Sequence, residues 1–458
     1  MSLTADFAAY LSTLAARGLD ESARASAASL VLDGLAVAAL GSSETGPSIL
    51  AEAAVVPADG RSAALIGRTK RASAADAARA NGASMHVLDF EPMWNPANHS
   101  LSTTLPALLA LAETYATDGD APLGARILTA LAIGIEAQER LRLSSQQFEA
   151  LSLVFHPPGT VGPIGSAVAC SLLIGLDVGR LTHAIAIATS RAGTVMANVG
   201  SMTKALHCGQ AAAAGLESAV LAAAGFTGDA DAIGNPQGYG RAFFGDKFTP
   251  AELTRDHEAL QIVRPGPAYK LYPSQYGTHF VITAALAARA AMPPGRAVAR
   301  AVIHCPSMPY VDRPNPATGL AGKFSFQYTA AMALLDGAVT VGSFTDARRF
   351  SADVVDLLPR IEVRPDTARQ GRFDKMTLAV EAHWDGGSAR GECDGPPGIW
   401  GRAVPAERLR AKATDCLSAA LDATTAAEIV MLAERFATLD RTGIAHLMGL
   451  LARPARPS

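Results

Sequence analysis

Apolar residues recur at helical spacing through most of the first 265 positions. Leu30, Leu32, Leu35 and Val37 make one such run, and Gly41-Ser42-Ser43 ends it. A second run, with leucines at 105, 108, 109 and 111, predicts a helix over 105–115, and a third predicts one over roughly 124–143. Between the first two, the segment Asp89–His99 holds Pro92 and Pro96, which remove backbone donors and predict a loop. Small residues dominate from about 160 to 225, with Gly162, Gly165, Gly209 and Ala211–Ala214, and residues of this size let helices approach closely. The stretch 234–240 reads as a loop by composition.

The texture changes after Pro265-Gly266-Pro267. Ala301–His304 and Ile361–Val363 have β-branched character, and Met376–Ala382 partly alternates polar with apolar, so three strands are predicted. Helical texture returns over Ser325–Leu335 and again from Pro405 to the end. The predicted fold class is mainly α. An all-helical domain covers 1–265, a smaller α/β or α+β domain covers 266–404, and a helical tail covers 405–458.

Composition narrows the picture. A chain of 458 residues suggests two or three domains. With 49% hydrophobic but only 6% aromatic residues, the core is expected to be close-packed alanine and leucine helices rather than a β-sandwich. The 39 basic and 42 acidic residues leave a net charge of -3, too little positive charge for nucleic acid to be a main partner. Five cysteines without a CxxC pair signal neither a zinc site nor a disulfide framework and fit a reducing cytoplasm. The N-terminus lacks the basic-then-apolar order of a signal peptide. The apolar stretches Leu128–Ile135 and Ala211–Ala224 fall short of the roughly 20 residues that cross a bilayer, so no membrane role is expected.

No GxxxxGK(S/T), no GxGxxG placed between strand and helix, no GxSxG and no HExxH occurs. The candidate chemistry is instead a set of polar residues in apolar or glycine-rich surroundings. Asp89 and His99 bracket the proline loop, His156 precedes a small-residue helix, and Lys204 and His207 open another. Lys270 follows the predicted domain boundary, and Tyr310 lies between prolines. Singly, each has an ordinary reading: a hydrogen-bonded histidine, a solvated lysine, an Asx turn at Asp89, a packing tyrosine. Together they suit a small polyacid, with two lysines binding carboxylates and histidines moving a proton at a carbon beside a carboxylate. Buried cations offset the developing charge without a metal.

These segments, in this order, resemble the MmgE/PrpD family along nearly the whole chain. The matching blocks are His86-Val87-Leu88-Asp89-Phe90 with His99, His156-Pro157-Pro158-Gly159-Thr160, Lys204-Ala205-Leu206-His207-Cys208-Gly209 with Gly225-Phe226-Thr227-Gly228, and Lys270-Leu271-Tyr272-Pro273 with His279. The family comprises 2-methylcitrate dehydratases, cis-aconitate decarboxylases and iminodisuccinate epimerases. The resemblance implies a large helical domain built from both chain ends, a smaller inserted α/β lid and a homodimer. It also implies a cofactor-independent lyase of dehydratase type acting on a small di- or tricarboxylate. An epimerase or racemase of an iminodisuccinate-like acid, a decarboxylase of a cis-aconitate-like acid and a silent binding protein are the alternatives. By the same resemblance Asp89 orients His99, His99 and His156 share acid–base work, and Lys204 and Lys270 hold carboxylates. Tyr310 donates a proton, and His207, Met93 and Trp94 help to form the substrate pocket. Where the family carries Asp-Asp-Thr this chain has Glu91-Pro92-Met93, which replaces a hydroxyl with a thioether.

Overall fold

Helix starts in this chain are set by short polar side chains. Ser2, Asp20, Ser73, Asp177 and Asp422 each accept a hydrogen bond from the backbone N–H three residues on, satisfying a donor that the first helical turn leaves open. The computed structural model describes residues 2–115, 121–148 and 153–454, and its architecture is mainly α. The chain divides into two compact units, Met1–Ala268 with Val404–Ser458 and, separately, Tyr269–Ala403.

The first unit is a stack of helices. One part of its core joins Phe7 and Leu11 of the first helix to Ile133 and Leu141, Val161, Ile164 and Val168, and Leu181 and Ile185, all buried. The small-residue stretch forms the helices Pro157–Leu173 and Thr203–Ala223, which pack on each other, and the second also packs on Ala74–His86. Gly209 lets two of these helices touch backbone to backbone. A Cβ there would lie 2.0 Å from the Arg79 carbonyl oxygen, and one at Gly82 would lie 2.9 Å from the Gly209 Cα. This contact brings the end of the Ala74–His86 helix beside the start of the Thr203–Ala223 helix.

The helix Glu21–Gly41, with a mean hydropathy of 1.5 over its most apolar window, is long and apolar enough to cross a membrane. Its Ser, Asp and Gly positions break the apolar run, so it does not stand out by eye. In the fold 67% of that window is buried, and the helix packs against Ala406–Ala420 from the far end of the chain. Burial against protein is the ordinary fate of a helix that is apolar all round.

In the second unit four strands form one sheet in the order Ile361–Asp366, Arg300–Pro306, Leu378–Trp384, Gly387–Cys393. The first pair is parallel, with Ile303 opposite Val363, and the other pairs are antiparallel. The helix Tyr276–Ala290 packs on the last two strands and Phe326–Asp336 on the first. The strand expected at 376–382 begins at Leu378. Its partner Gly387–Cys393 escaped the sequence reading because Gly-Ser-Ala-Arg-Gly-Glu-Cys has no β-branched residue. The stretch 234–240 is a loop only to Gly238, where the short helix Tyr239–Phe244 begins.

Candidate active site

Three helices of the first unit begin at one place. His99 caps Ser100–Thr114, His156 caps Pro157–Leu173, and Lys204 is the second residue of Thr203–Ala223. The His99 and His156 ring centroids are 6.5 Å apart, and Lys204 lowers the basicity of His156 through space. Each helix start contributes the positive end of its dipole, so the convergence favours an anion.

The loop between Ala74–His86 and Ser100–Thr114 supplies the carboxylates. Asp89 adopts a left-handed backbone, φ +52°, a conformation that Asp tolerates better than most residues, and its N–H donates to the His86 carbonyl at 2.9 Å. The Asp89 Oδ2 accepts from the Lys204 Nζ at 3.0 Å, with both side chains largely buried. Met93 exchanges backbone bonds with Ala268 at 3.0 and 2.7 Å, and the Trp94 N–H donates to the Asn98 carbonyl at 3.0 Å. Met93 and Trp94 are both buried.

Glu91 is the residue that sequence reasoning missed. Its carboxylate is wholly buried and accepts from the Ser102 N–H at 3.0 Å and the Ser102 hydroxyl at 2.7 Å. The same Oε1 lies 2.5 Å from His86 Nδ1 and 3.6 Å from His99 Nδ1. The carboxylate beside the His99 Nδ1 is thus Glu91, while Asp89, expected to orient that ring, pairs with Lys204. The available signal was spacing: Glu91 is the second of two acids between His86 and His99 in an apolar proline loop.

Four imidazoles meet here. The ring centroids are 4.6 Å apart for His86–His99, 6.1 Å for His86–His156 and 5.2 Å for His156–His207. His156 and His207 face each other at 3.1 Å through their Nδ1 atoms. His207 lies one turn beyond Lys204 on the same helix, which is why the two share a face. Burial, the Lys204 ammonium and the neighbouring rings hold His86 and His156 well below the ordinary imidazole range. Burial and Lys204 also lower His207. These three rings are therefore neutral at neutral pH and can accept a proton. Cys208 carries no comparable reactivity, since burial and the nearby Glu91 push its thiol far up.

A second buried carboxyl braces His99 from outside the loop. Glu139 Oε1 accepts from the Asn98 amide at 3.0 Å and from the Ser100 hydroxyl, the residues on either side of His99. Burial pushes this carboxyl up to about 7.

The donor atoms of His86, Glu91 and His99 lie within 4.8 Å of one another, close enough to consider a cation. Two ligands of a tetrahedral zinc, each about 2.0–2.1 Å from it, would stand roughly 3.3 Å apart. The 2.5 Å between His86 and Glu91 is instead that of a direct hydrogen bond.

Lys270 and Tyr310 belong to the second unit. Lys270 is 1% exposed, and His279 of the same block is fully buried and stacked on Tyr276 with centroids 4.9 Å apart. Burial of the Tyr310 hydroxyl raises its pKa, and a bond with Gln275 opposes that shift.

Residues 5–251 match the family profile of the MmgE/PrpD N-terminal domain, and residues 272–437 match that of the MmgE/PrpD C-terminal domain. A mouse protein named cis-aconitate decarboxylase is 30% identical over 99% of this chain and 94% of its own length. The human protein of that name is 33% identical over 83% of this chain and 80% of its own, and one from Aspergillus terreus is 27% identical over 49% and 46%.

Proposed function

The chain belongs to the MmgE/PrpD family and is an enzyme of lyase type, and from that premise we propose that it acts on a small di- or tricarboxylate by moving a proton at a carbon beside a carboxylate. The observation that carries this reading is the group of neutral imidazoles beside Lys204 at the meeting of three helix starts. No cofactor is needed for such a step.

Burial and the Lys204 ammonium hold His86, His156 and His207 neutral. A bound polycarboxylate brings negative charge, which raises the imidazole pKa and strengthens the base once substrate is present. In dehydration, His99 or His156 takes the proton from carbon, the electron pair forms the double bond, and hydroxide leaves as water after protonation. In decarboxylation, a ring whose pKa the bound carboxylates raise first takes up a proton from solvent; the bond to one carboxylate then breaks, carbon dioxide leaves, and the imidazolium gives that proton to the carbon. Lys204 offsets the charge that builds up in either case. The relatives named cis-aconitate decarboxylase put cis-aconitate first among the acids to try.

The same reading assigns Lys270 to a second carboxylate and Tyr310 to proton donation, and makes the unit Tyr269–Ala403 the lid domain of a homodimeric enzyme. All five cysteines are unpaired and buried, which suits a reducing cytoplasm.

The test is proton NMR in D₂O with the purified protein and cis-aconitate, 2-methylcitrate, citrate and iminodisuccinate. Appearance or loss of vinyl signals supports a lyase and names its substrate. Exchange of one proton without a new compound supports an epimerase and overturns the lyase reading. Unchanged spectra for every acid overturn the substrate class.

A further inference from the structure

Lys412 lies in the helix Ala406–Ala420, 322 residues after Phe90, and its side chain is 6% exposed. Its ammonium donates to the Phe90 carbonyl at 2.8 Å and lies 2.7 Å from the Asp33 Oδ1. It also sits over the Phe90 ring, 4.0 Å from the centroid. Phe90 is the residue between Asp89 and Glu91.

We propose that Lys412, anchored on Asp33, is a positioning residue for the Asp89–Glu91 segment. Its ammonium grips Phe90 at two points, the main-chain carbonyl and the ring. Fixing that carbonyl fixes the peptide plane between Phe90 and Glu91, and fixing the ring opposes rotation of Phe90 as a whole. Asp89 on one side keeps its left-handed backbone and stays aimed at Lys204. Glu91 on the other stays within reach of His86 and Ser102. A left-handed non-glycine residue costs about 1–3 kcal/mol and persists only where its surroundings over-determine it. The Lys412 contact supplies that constraint from outside the loop.

Stability alone accounts poorly for the arrangement. Burial raises the Asp33 carboxyl in spite of the ammonium beside it, the mark of a pair that is costly to desolvate. Apolar residues of similar volume serve the core at least as well as such a pair. What they cannot do is donate to a carbonyl.

The inference rests on the assignment of Asp89 to the site, and its test is a double-mutant cycle with an independent structural readout. The charge-free pair D33N/K412M leaves no unpaired buried ion and is compared with wild type, D89N and the triple variant. The expected result is a loss of about tenfold in kcat/KM for the pair, at a temperature where circular dichroism shows it folded, shrinking to less than about threefold in the D89N background. Equal losses in both backgrounds, or none, overturn the proposal. Should the pair fail to fold, K412R keeps the cation and carries the same cycle.

Amide exchange in the same variants needs no substrate. The N–H groups of Asp89 and Met93, bonded to the carbonyls of His86 and Ala268, are expected to exchange about tenfold faster while those of the Ala74–His86 helix do not change. Unchanged exchange at Asp89 overturns the positioning role whatever the substrate proves to be. Absence of wild-type turnover, by contrast, counts against the proposed function.

Discussion

His156 and His207 meet Nδ1 to Nδ1 at 3.1 Å, so at that contact one ring donates and the other accepts, and they cannot both carry a proton there. A base working through the Nε2 of His156 needs its proton on Nδ1, and His207 is then the acceptor that keeps it there. H207A is expected to lower kcat by about 10–100-fold with a smaller change in KM, since the tautomer is lost but the ring remains. H207N regains part of the rate because its amide oxygen can accept. A kcat for H207A within about twofold of wild type removes His207 from this role.

Glu91 serves Ser102 through both the N–H and the hydroxyl, and His86 as well. An amide in its place turns one acceptor into a donor facing a donor. E91Q is expected to cost about tenfold or more in kcat, and S102A, which removes one bond to a charged group, to cost about 1.5–3 kcal/mol of stability. Steady-state kinetics and urea unfolding read the two effects separately. Full activity in E91Q would show that the carboxylate is structural only.

Removing the Lys204 ammonium has two consequences of different kind. K204M is expected to raise KM for the polycarboxylate about 10–100-fold, the worth of one charge-assisted hydrogen bond. It also removes a cation that lowers His86, His156 and His207. Their pKa values rise, so the acid limb of the pH–rate profile moves to higher pH. An acid limb that stays in place while KM rises would mean that the titrating base lies beyond the influence of Lys204.

Glu139 makes stability depend on pH in a direction unusual for a carboxyl. Its folded pKa, about 7, stands above the ordinary glutamate value of 4.5, so the folded protein keeps a proton that the unfolded chain releases in between. Its stabilising contribution is complete below about pH 4.5 and declines as pH rises toward 7, by about 3 kcal/mol for a shift of roughly 2.5 pH units. E139Q cannot titrate and is expected to flatten that part of the profile. Urea unfolding of both proteins at about pH 5 and about pH 8 measures it, and parallel profiles count against the assignment.

At Gly209 the obstacle is backbone, 2.0 Å from where a Cβ would stand, and backbone cannot swing aside. G209A is expected to destabilise by about 1–3 kcal/mol or more and to disturb the seat of Lys204 and His207. Gly449, in the helix Arg441–Leu451, has no atom within 4 Å of its Cβ position, so G449A should be neutral or stabilising by up to about 1 kcal/mol. Thermal unfolding of the pair separates lost packing from lost glycine.

Most of the helical fabric was legible because it depends on local pattern. The runs expected at 105–115 and 124–143 appear as Ser100–Thr114 and Leu123–Ser144, and the strands at 301 and 361 fall where β-branched residues cluster. Gly387–Cys393 was not legible, because what makes it a strand is its partner Leu378–Trp384 rather than its own residues. At the site, Asp89, His99, His156, Lys204 and His207 were all singled out, and the fold gathers them in the first unit. Glu91, Ser102 and Lys412 were passed over. Their importance lies in what they touch across 11 residues for Glu91–Ser102 and 322 for Lys412–Phe90, and no local pattern carries such distances.

The lysine that grips Phe90 is made long after the loop it grips. At about 5–20 residues per second, the 322 positions between them take roughly 15–60 s to emerge from the ribosome. Throughout that interval the helix Glu21–Gly41 has its earlier partners, Ala74–His86 among them, but lacks Ala406–Ala420. Vectorial synthesis thus leaves the loop without its clamp until the last tenth of the chain arrives. A stop codon or frameshift before residue 412 would yield a long product that contains all the candidate catalytic residues yet has no clamp to hold the loop.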